Sequence, residues 1–160
     1  MKMTNWEGDE NPLISIVLIW TFTGTVVHGA RPHVAMCCLK TVTNGWATSH
    51  RYHEETRLGC IFGCDGLDDS LCHYLSCTLL WNLVGASFPP PCPPSPSDRM
   101  CLRSPTKHRV VQLFCAYHVY HCIKVSERHL VDRCEIARIR AAAARAARAA
   151  ALLVAPVRPD

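Results

Sequence analysis

Apolar positions divide the 160-residue chain into segments with different patterns. Residues 1–12 are polar and acidic, and residues 13–27 form the most hydrophobic run. Between residues 32 and 44 the apolar positions recur at helical spacing, and an Asn-Gly pair then predicts the end of a short helix. From residue 107 onward a helical pattern returns and continues to the prolines near the C-terminus. The pattern therefore predicts a small, mostly α-helical fold.

The hydrophobic run 13–27 allows three interpretations. Its Ile, Val, Thr, Phe and Trp residues favour a buried strand. A membrane span is the main alternative, although the run is at the short limit for crossing a bilayer and is interrupted by Thr and Gly. A secretory signal has an apolar core of this length, but here acidic residues precede it, where a signal carries positive charge. We expect buried core, with a membrane-anchored or secreted small protein as the alternative.

Composition predicts four parts of the chain. They are an N-terminal tail with the hydrophobic run (1–30), a zinc-binding module (31–84), a proline-rich linker (85–106) and a basic helical region (107–155). The proline-rich part favours extended polyproline and is expected to form neither helix nor sheet. We therefore expect the fold to be partly disordered.

Charge is distributed unevenly along the chain. Residues 1–80 carry five Lys/Arg against eight Asp/Glu, whereas residues 99–148 carry eleven against three. Residues 138–151 are almost all Ala and Arg, which are strong helix formers. On a helical wheel the arginines of this region occupy one half, and Ile, Ala and Leu occupy the other. These arginines are Arg133, Arg138, Arg140, Arg145 and Arg148. The pattern predicts a long basic C-terminal helix that contacts a polyanion or presents a solvated face.

Four candidate metal ligands follow the spacing Cys60-x3-Cys64-x8-His73-x3-Cys77. Two pairs of ligands, each close in sequence, are how a short chain surrounds a tetrahedral zinc ion. Gly63 lies within the first pair, where a tight turn needs an unusual backbone angle. The second pair is one turn apart on a predicted helix, so both side chains can reach one ion. Because the protein supplies all four ligands, we predict a closed, structural zinc site.

The alternative is that these pairs arise by chance in a chain with eleven cysteines. Cys72 is a substitute ligand, but it points about 100° away from His73 on a helix. The acidic turn 65–70 supplies residues suited to a helix N-cap, which supports the helix that would present His73 and Cys77.

The cysteines as a whole also indicate the redox environment of the protein. Their odd number and irregular spacing argue against a disulfide framework and favour a reducing compartment.

The motif residues resemble the zinc-binding region that follows the polymerase in non-LTR retrotransposon reverse transcriptases. The resemblance covers roughly residues 35–85 and rests on the Gly-Trp-Ala-Thr-Ser-His-Arg segment 45–51, the Cys60–Cys64 turn, the segment 69–77 and the Leu-Trp pair 80–81. It implies a nucleic-acid-associated module with Trp81 as a packing residue. The ligands that it implies are Cys60, Cys64, His73 and Cys77. The first cysteine pair is one residue further apart here than is usual in that family.

Enzyme activity is not expected. The chain has no Tyr-x-Asp-Asp polymerase motif and no Gly-rich phosphate loop, so neither copying of RNA nor a small-molecule substrate is predicted. A second cluster lies in the predicted helix after residue 107 and consists of Cys115, His118, His121 and Cys122. It would suit a second metal or a thiol–imidazole pair, but nothing in the sequence orients the imidazoles, so we expect a helix that tolerates these residues.

The sequence thus predicts a non-catalytic, zinc-stabilised module that binds DNA or RNA through salt-sensitive phosphate contacts. The residues expected to make these contacts are Arg51, Arg57, Arg138, Arg140, Arg145 and Arg148. The expected location is intracellular and nuclear. The alternatives are contact with a membrane, through residues 13–27 or through the basic helix lying on an anionic surface, and a retroelement remnant without function.

Overall fold

The computed structural model describes residues 31–55, 58–88, 91–102 and 106–154. The hydrophobic run 13–27 and Arg57 lie outside the described residues, so what was predicted for them stays a prediction. Within these ranges the chain forms seven helices and no strand, which confirms the predicted mostly helical class. The helices are α1 (Pro32–Val42), α2 (Leu71–Ser76), α3 (Thr78–Ser87), α4 (Pro96–Arg99), α5 (Lys107–Ser126), α6 (Arg128–Asp132) and α7 (Ile136–Val154).

Helix α5 lies at the centre of the fold. Helices α1, α3, α4, α6 and α7 all pack against it, and α3 also packs against α7. The hydroxyl of Thr106 caps the start of α5 by accepting a hydrogen bond from the backbone N–H of Arg109. Its buried residues lie on more than one side of the helix, as expected for a helix with neighbours on several faces. One hydrophobic cluster therefore joins the Cys-rich module to the basic helical region.

Helix α7 packs through small side chains. Its buried residues are Ile139, Ala142, Ala143, Ala146, Ala147 and Ala150. Burial of one helix face and exposure of the arginines on the other confirms the predicted amphipathic basic helix. Arg133 lies before α7, at the end of α6, and is not part of the arginine face. In the part of the chain that the structure describes, no helix combines the length and the apolar character that crossing a membrane requires.

Segment 85–106 differs from the linker that was predicted. Helix α3 continues into it, and α4 begins with Pro96 in the first turn, where the missing N–H has no helical partner to lose. Met100 is buried in the core. The Arg99 guanidinium donates to the backbone carbonyl of Leu75 over 2.8 Å. Proline therefore starts a short helix here, and the described part of the segment packs against the rest of the protein.

Candidate metal centre

The structure brings the four predicted ligands together. The sulfur atoms of the three cysteines and a ring nitrogen of His73 all lie within 4.8 Å of one another. The Sγ atoms of Cys64 and Cys77 are 3.7 Å apart. Cys60 and Cys77 are buried, with 6% and 1% of their surface exposed, whereas His73 and Cys64 are partly exposed. One metal ion could therefore contact all four side chains.

The first two ligands lie on a tight turn. The backbone N–H of Gly63 donates to the carbonyl of Cys60 over 3.0 Å. Gly63 has a φ of 83°, which is the left-handed backbone that the sequence predicted at this position.

The second pair of ligands lies at a break between two helices. The hydroxyl of Ser70 caps α2 by accepting from the backbone N–H of His73 over 3.2 Å. Helix α2 ends at Ser76, and Cys77 has non-helical angles (φ −61°, ψ 105°), so the predicted single helix through His73 and Cys77 was wrong. The sulfur of Cys77 accepts from the N–H of Leu80 and caps α3. The break turns the chain and leaves both ligands directed at one centre.

His73 provides an independent test of whether a metal fits. Its Nε2 atom is buried and has no hydrogen-bond partner among the described residues. A buried polar atom without a partner costs about 1–3 kcal/mol, so such atoms are rare in folded proteins. A metal ion at the centre of the four ligands would satisfy this nitrogen. The donor set and the orphaned nitrogen therefore both fit a bound metal.

The three thiols differ in acidity. The hydrogen bond with Cys77 is the largest influence that lowers the pKa of Cys60, which falls to about 5 although burial opposes the change. The same hydrogen bond and burial raise the pKa of Cys77, and burial raises the pKa of Cys64. Metal binding requires all three cysteines as thiolates, so a bound metal would lower the pKa of each of them.

The sequence did not predict the position of Asp69, which lies just before α2 and is completely buried. Its Oδ2 atom accepts from the backbone N–H of Ser49 over 2.7 Å and from the Lys124 ammonium over 2.5 Å. Its Oδ1 atom accepts from the hydroxyls of Tyr74 and Tyr120 over 2.7 and 3.0 Å. An acidic residue beside a helix start usually faces solvent, and no local signal identifies partners this distant in sequence.

The turn between Cys60 and Cys64 packs directly against the start of α7. The Nε atom of Arg140 donates to the carbonyl of Phe62 over 3.1 Å. A Cβ atom added to Gly63 would lie 2.8 Å from the side chain of Ile136 and 3.4 Å from the Arg140 guanidinium. The candidate metal centre therefore adjoins the arginine-rich helix.

The structure separates the predicted nucleic-acid-binding residues into two groups. Arg138, Arg140, Arg145 and Arg148 are exposed on α7. Arg138 is paired with Glu135 over 2.5 Å. Arg51 lies on an exposed loop, where its guanidinium stands over the ring of Tyr52 at 5.3 Å. The described candidates therefore lie on two elements, helix α7 and the loop that holds Arg51.

The second Cys/His cluster does not form a site in the described residues. Nε2 of His121 accepts from the backbone N–H of Ala47, and its Nδ1 donates to the carbonyl of Tyr117. Both ring nitrogens are thus occupied by backbone groups. The thiol of Cys115 donates to the carbonyl of Ala147, which is a packing contact between α5 and α7. These side chains join elements of the core, as the packing interpretation expects.

Comparisons of the chain with protein-family models, curated protein sequences and solved structures found no match. The resemblance to a reverse-transcriptase tail therefore rests on its motif residues alone. The fold and the site define a small helical protein with a Cys3His cluster that could hold a metal ion.

Proposed function

We propose that the protein is a non-catalytic, zinc-stabilised module that binds the phosphate backbone of DNA or RNA. The observation that supports this most directly is the contact between the Cys60–Cys64 turn and Arg140 on α7. Through this contact a metal that orders the turn would also fix the position of the arginine-rich helix.

Zinc is the metal that the donor set favours. Three sulfurs and one imidazole nitrogen form one of the common tetrahedral sets of structural zinc sites, and soft thiolates disfavour Mg²⁺ and Ca²⁺. With four protein ligands the ion has no open position for a reacting water. This supports a structural role for zinc and a function that involves no catalysis.

The outer face of α7 suits a polyanion. Helix α7 contains four arginines and no acidic residue. Arg145 and Arg148 are exposed, and no ion-pair partner for either is found among the described residues. The neighbouring side chains on this face are mostly alanine, which leaves room for close approach of a phosphate backbone. Such a face would bind without reading sequence, and salt would weaken the binding.

The resemblance to the zinc-binding region of non-LTR reverse transcriptases adds support from the motif residues, because that region is associated with nucleic acid. A nucleic-acid partner in turn agrees with a nuclear location. The proposal does not extend to polymerase activity, since the chain lacks the polymerase motif.

Zinc content of the reduced, purified protein tests the first half of the proposal. We expect equimolar zinc in the wild type and loss of zinc, with unfolding, in Cys60→Ser and His73→Ala. Cys72→Ser is the matched control because Cys72 is exposed and lies outside the cluster. A folded wild-type protein without zinc would contradict the proposal.

Binding of a labelled duplex DNA and a labelled RNA at several salt concentrations tests the second half. In Arg145→Gln/Arg148→Gln we expect weaker binding. The slope of the logarithm of the binding constant against the logarithm of salt concentration should also become shallower, by about 0.9 for each duplex phosphate that the variant no longer neutralises. Arg128→Gln is the control, because Arg128 lies outside α7 and is already paired with Asp132. Equal binding by all three proteins would exclude the arginine face of α7 as the contact surface.

A further inference from the structure

The sulfur ligands differ in how solvent can reach them. Cys60 and Cys77 are buried, whereas Cys64 is partly exposed. The sulfur of Cys64 lies 3.7 Å from that of Cys77. A small oxidant in solution would therefore reach Cys64 before the other two sulfur ligands. The sulfur of Cys77 is then close enough to react with the oxidised Cys64.

We propose that Cys64 and Cys77 form an oxidative modification site, at which a hydroperoxide converts the two sulfurs to a disulfide and releases the metal. This inference rests on the proposed zinc function and adds its regulation. It assigns different roles to the ligands. Cys64 is the sulfur that reacts with the oxidant, and Cys77 is the sulfur that closes the disulfide.

The chemistry balances with hydrogen peroxide as the oxidant. The Cys64 thiolate attacks one peroxide oxygen, an S–O bond forms, the O–O bond breaks, and hydroxide leaves and takes a proton to become water. The Cys77 thiolate then attacks the Cys64 sulfur, an S–S bond forms, the S–O bond breaks, and a second hydroxide leaves as water. Two thiolates, one peroxide and two protons thus give one disulfide and two waters.

Loss of two ligands would release the ion, since Cys60 and His73 alone leave a zinc site half empty. The effect would extend to α7. The turn that holds Cys64 contacts Ile136 and Arg140 at the start of this helix, so any movement of the turn disturbs those contacts. Oxidation at Cys64 and Cys77 therefore controls whether the turn supports the arginine face of α7.

Other described cysteines are poorer candidates. Cys38, Cys101 and Cys115 are completely buried in the core. Cys72 and Cys134 are exposed, and three further cysteines are partly exposed, namely Cys37, Cys92 and Cys122. No hydrogen bond joins any of these five to another sulfur among the described residues. Since disulfide formation needs both access and a second sulfur at short range, the observations favour Cys64 with Cys77.

The test treats zinc-loaded full-length protein with hydrogen peroxide after its zinc content and oligonucleotide binding have been measured in the reduced state. Released zinc is followed with a chromogenic chelator, and disulfides are mapped by mass spectrometry of unreduced peptides. We expect one zinc released for each disulfide between Cys64 and Cys77, weaker oligonucleotide binding, and recovery of both after dithiothreitol and zinc are added.

Two variants sharpen the result. Cys72→Ser/Cys134→Ser should release zinc as the wild type does. Cys64→His cannot form the Cys64–Cys77 disulfide, and its zinc content is measured before peroxide is added. From the variant protein that holds zinc, peroxide should release the metal much more slowly than from the wild type. If Cys64→His does not bind zinc, the disulfide map of the wild type decides the question.

The outcomes separate the two proposals. If the reduced protein holds zinc and binds nucleic acid, but peroxide produces no Cys64–Cys77 disulfide or links other cysteines, only the oxidation site is overturned. If the reduced protein holds no zinc, the zinc function and the oxidation site both fail.

Discussion

The carboxylate of Asp69 and the ammonium of Lys124 form an ion pair at 2.5 Å, with 0% and 5% of their side chains exposed. The two residues are 55 positions apart. Asp69 precedes α2, which presents His73 to the metal centre, and Lys124 lies near the end of α5. The pair therefore fixes the Cys-rich module against the central helix of the fold.

Lys124→Met should destabilise the protein strongly. The substitution leaves the Asp69 charge buried with neutral donors only, and removal of one partner from a buried pair costs about 3–5 kcal/mol. Chemical denaturation of the zinc-loaded protein measures the change. Asp69→Asn/Lys124→Met removes both charges and should lose less stability than Lys124→Met alone. A loss below about 1 kcal/mol in the single variant would show that the pair is not buried as described.

The Asp69 carboxylate should also make stability depend on pH. Burial alone would raise the pKa of Asp69, but hydrogen bonds from Lys124, Ser49 and Tyr74 outweigh burial and lower it below its ordinary value of 3.8. Because the folded-state pKa is the lower one, the stabilisation is fully present above pH 3.8 and is lost as pH falls through the folded value.

The measurement for this prediction is the difference in unfolding free energy between the wild type and Asp69→Asn. We expect a constant difference from neutral pH down to about 4 and a smaller one below that. Loss of metal in acid affects both proteins, so the difference isolates Asp69. A difference that does not change with pH would contradict the ionised state of this carboxylate.

Gly63→Ala should destabilise the protein more than Gly66→Ala. Both glycines have positive φ, 83° and 66°, so both substitutions strain the backbone by about 1–2 kcal/mol. At Gly63 the new methyl would also lie 2.8 Å from Ile136, whereas at Gly66 nothing lies within 4 Å. Thermal unfolding and zinc retention against a competing chelator should rank the variants. Equal effects would mean that the turn does not pack on α7.

Ala143→Leu should destabilise the protein, whereas Ala141→Leu should not. Ala143 is completely buried and Ala141 is exposed on the same helix. Extra methylenes in a packed core cost about 1–3 kcal/mol, and the matched exposed site adds none of this cost. Thermal unfolding of the two variants checks which face of α7 meets the core. The opposite ranking would place the arginines, and not the alanines, against α5.

Local features of the site were predicted from sequence because they depend on short-range chemistry. The ligand spacing, the left-handed Gly63 and the N-cap before α2 each involve residues within a few positions of one another. The Ala/Arg composition predicted α7 for the same reason. Trp81 was expected to pack and is buried, with its indole N–H donating to the carbonyl of Tyr74.

Two predictions were wrong because a local rule was overridden. Helix propensity did not anticipate that the Cys77 sulfur would cap α3 and interrupt the helix after His73. The proline-rich composition of segment 85–106 led to the prediction that it contains no helix, but the short helix α4 forms there. Proline breaks a helix interior, whereas at a helix start, where Pro96 lies, it is favoured.

The sequence by itself determined the helical class, the four candidate ligands and the amphipathic character of α7, since periodicity and spacing are properties of neighbouring residues. Only the tertiary structure decided that Asp69 is buried against Lys124 and that Arg140 donates a hydrogen bond to the Cys60–Cys64 turn. Those contacts join residues 55 and 78 positions apart. Such pairs form only after the intervening chain has folded and excluded water, and no local pattern records them.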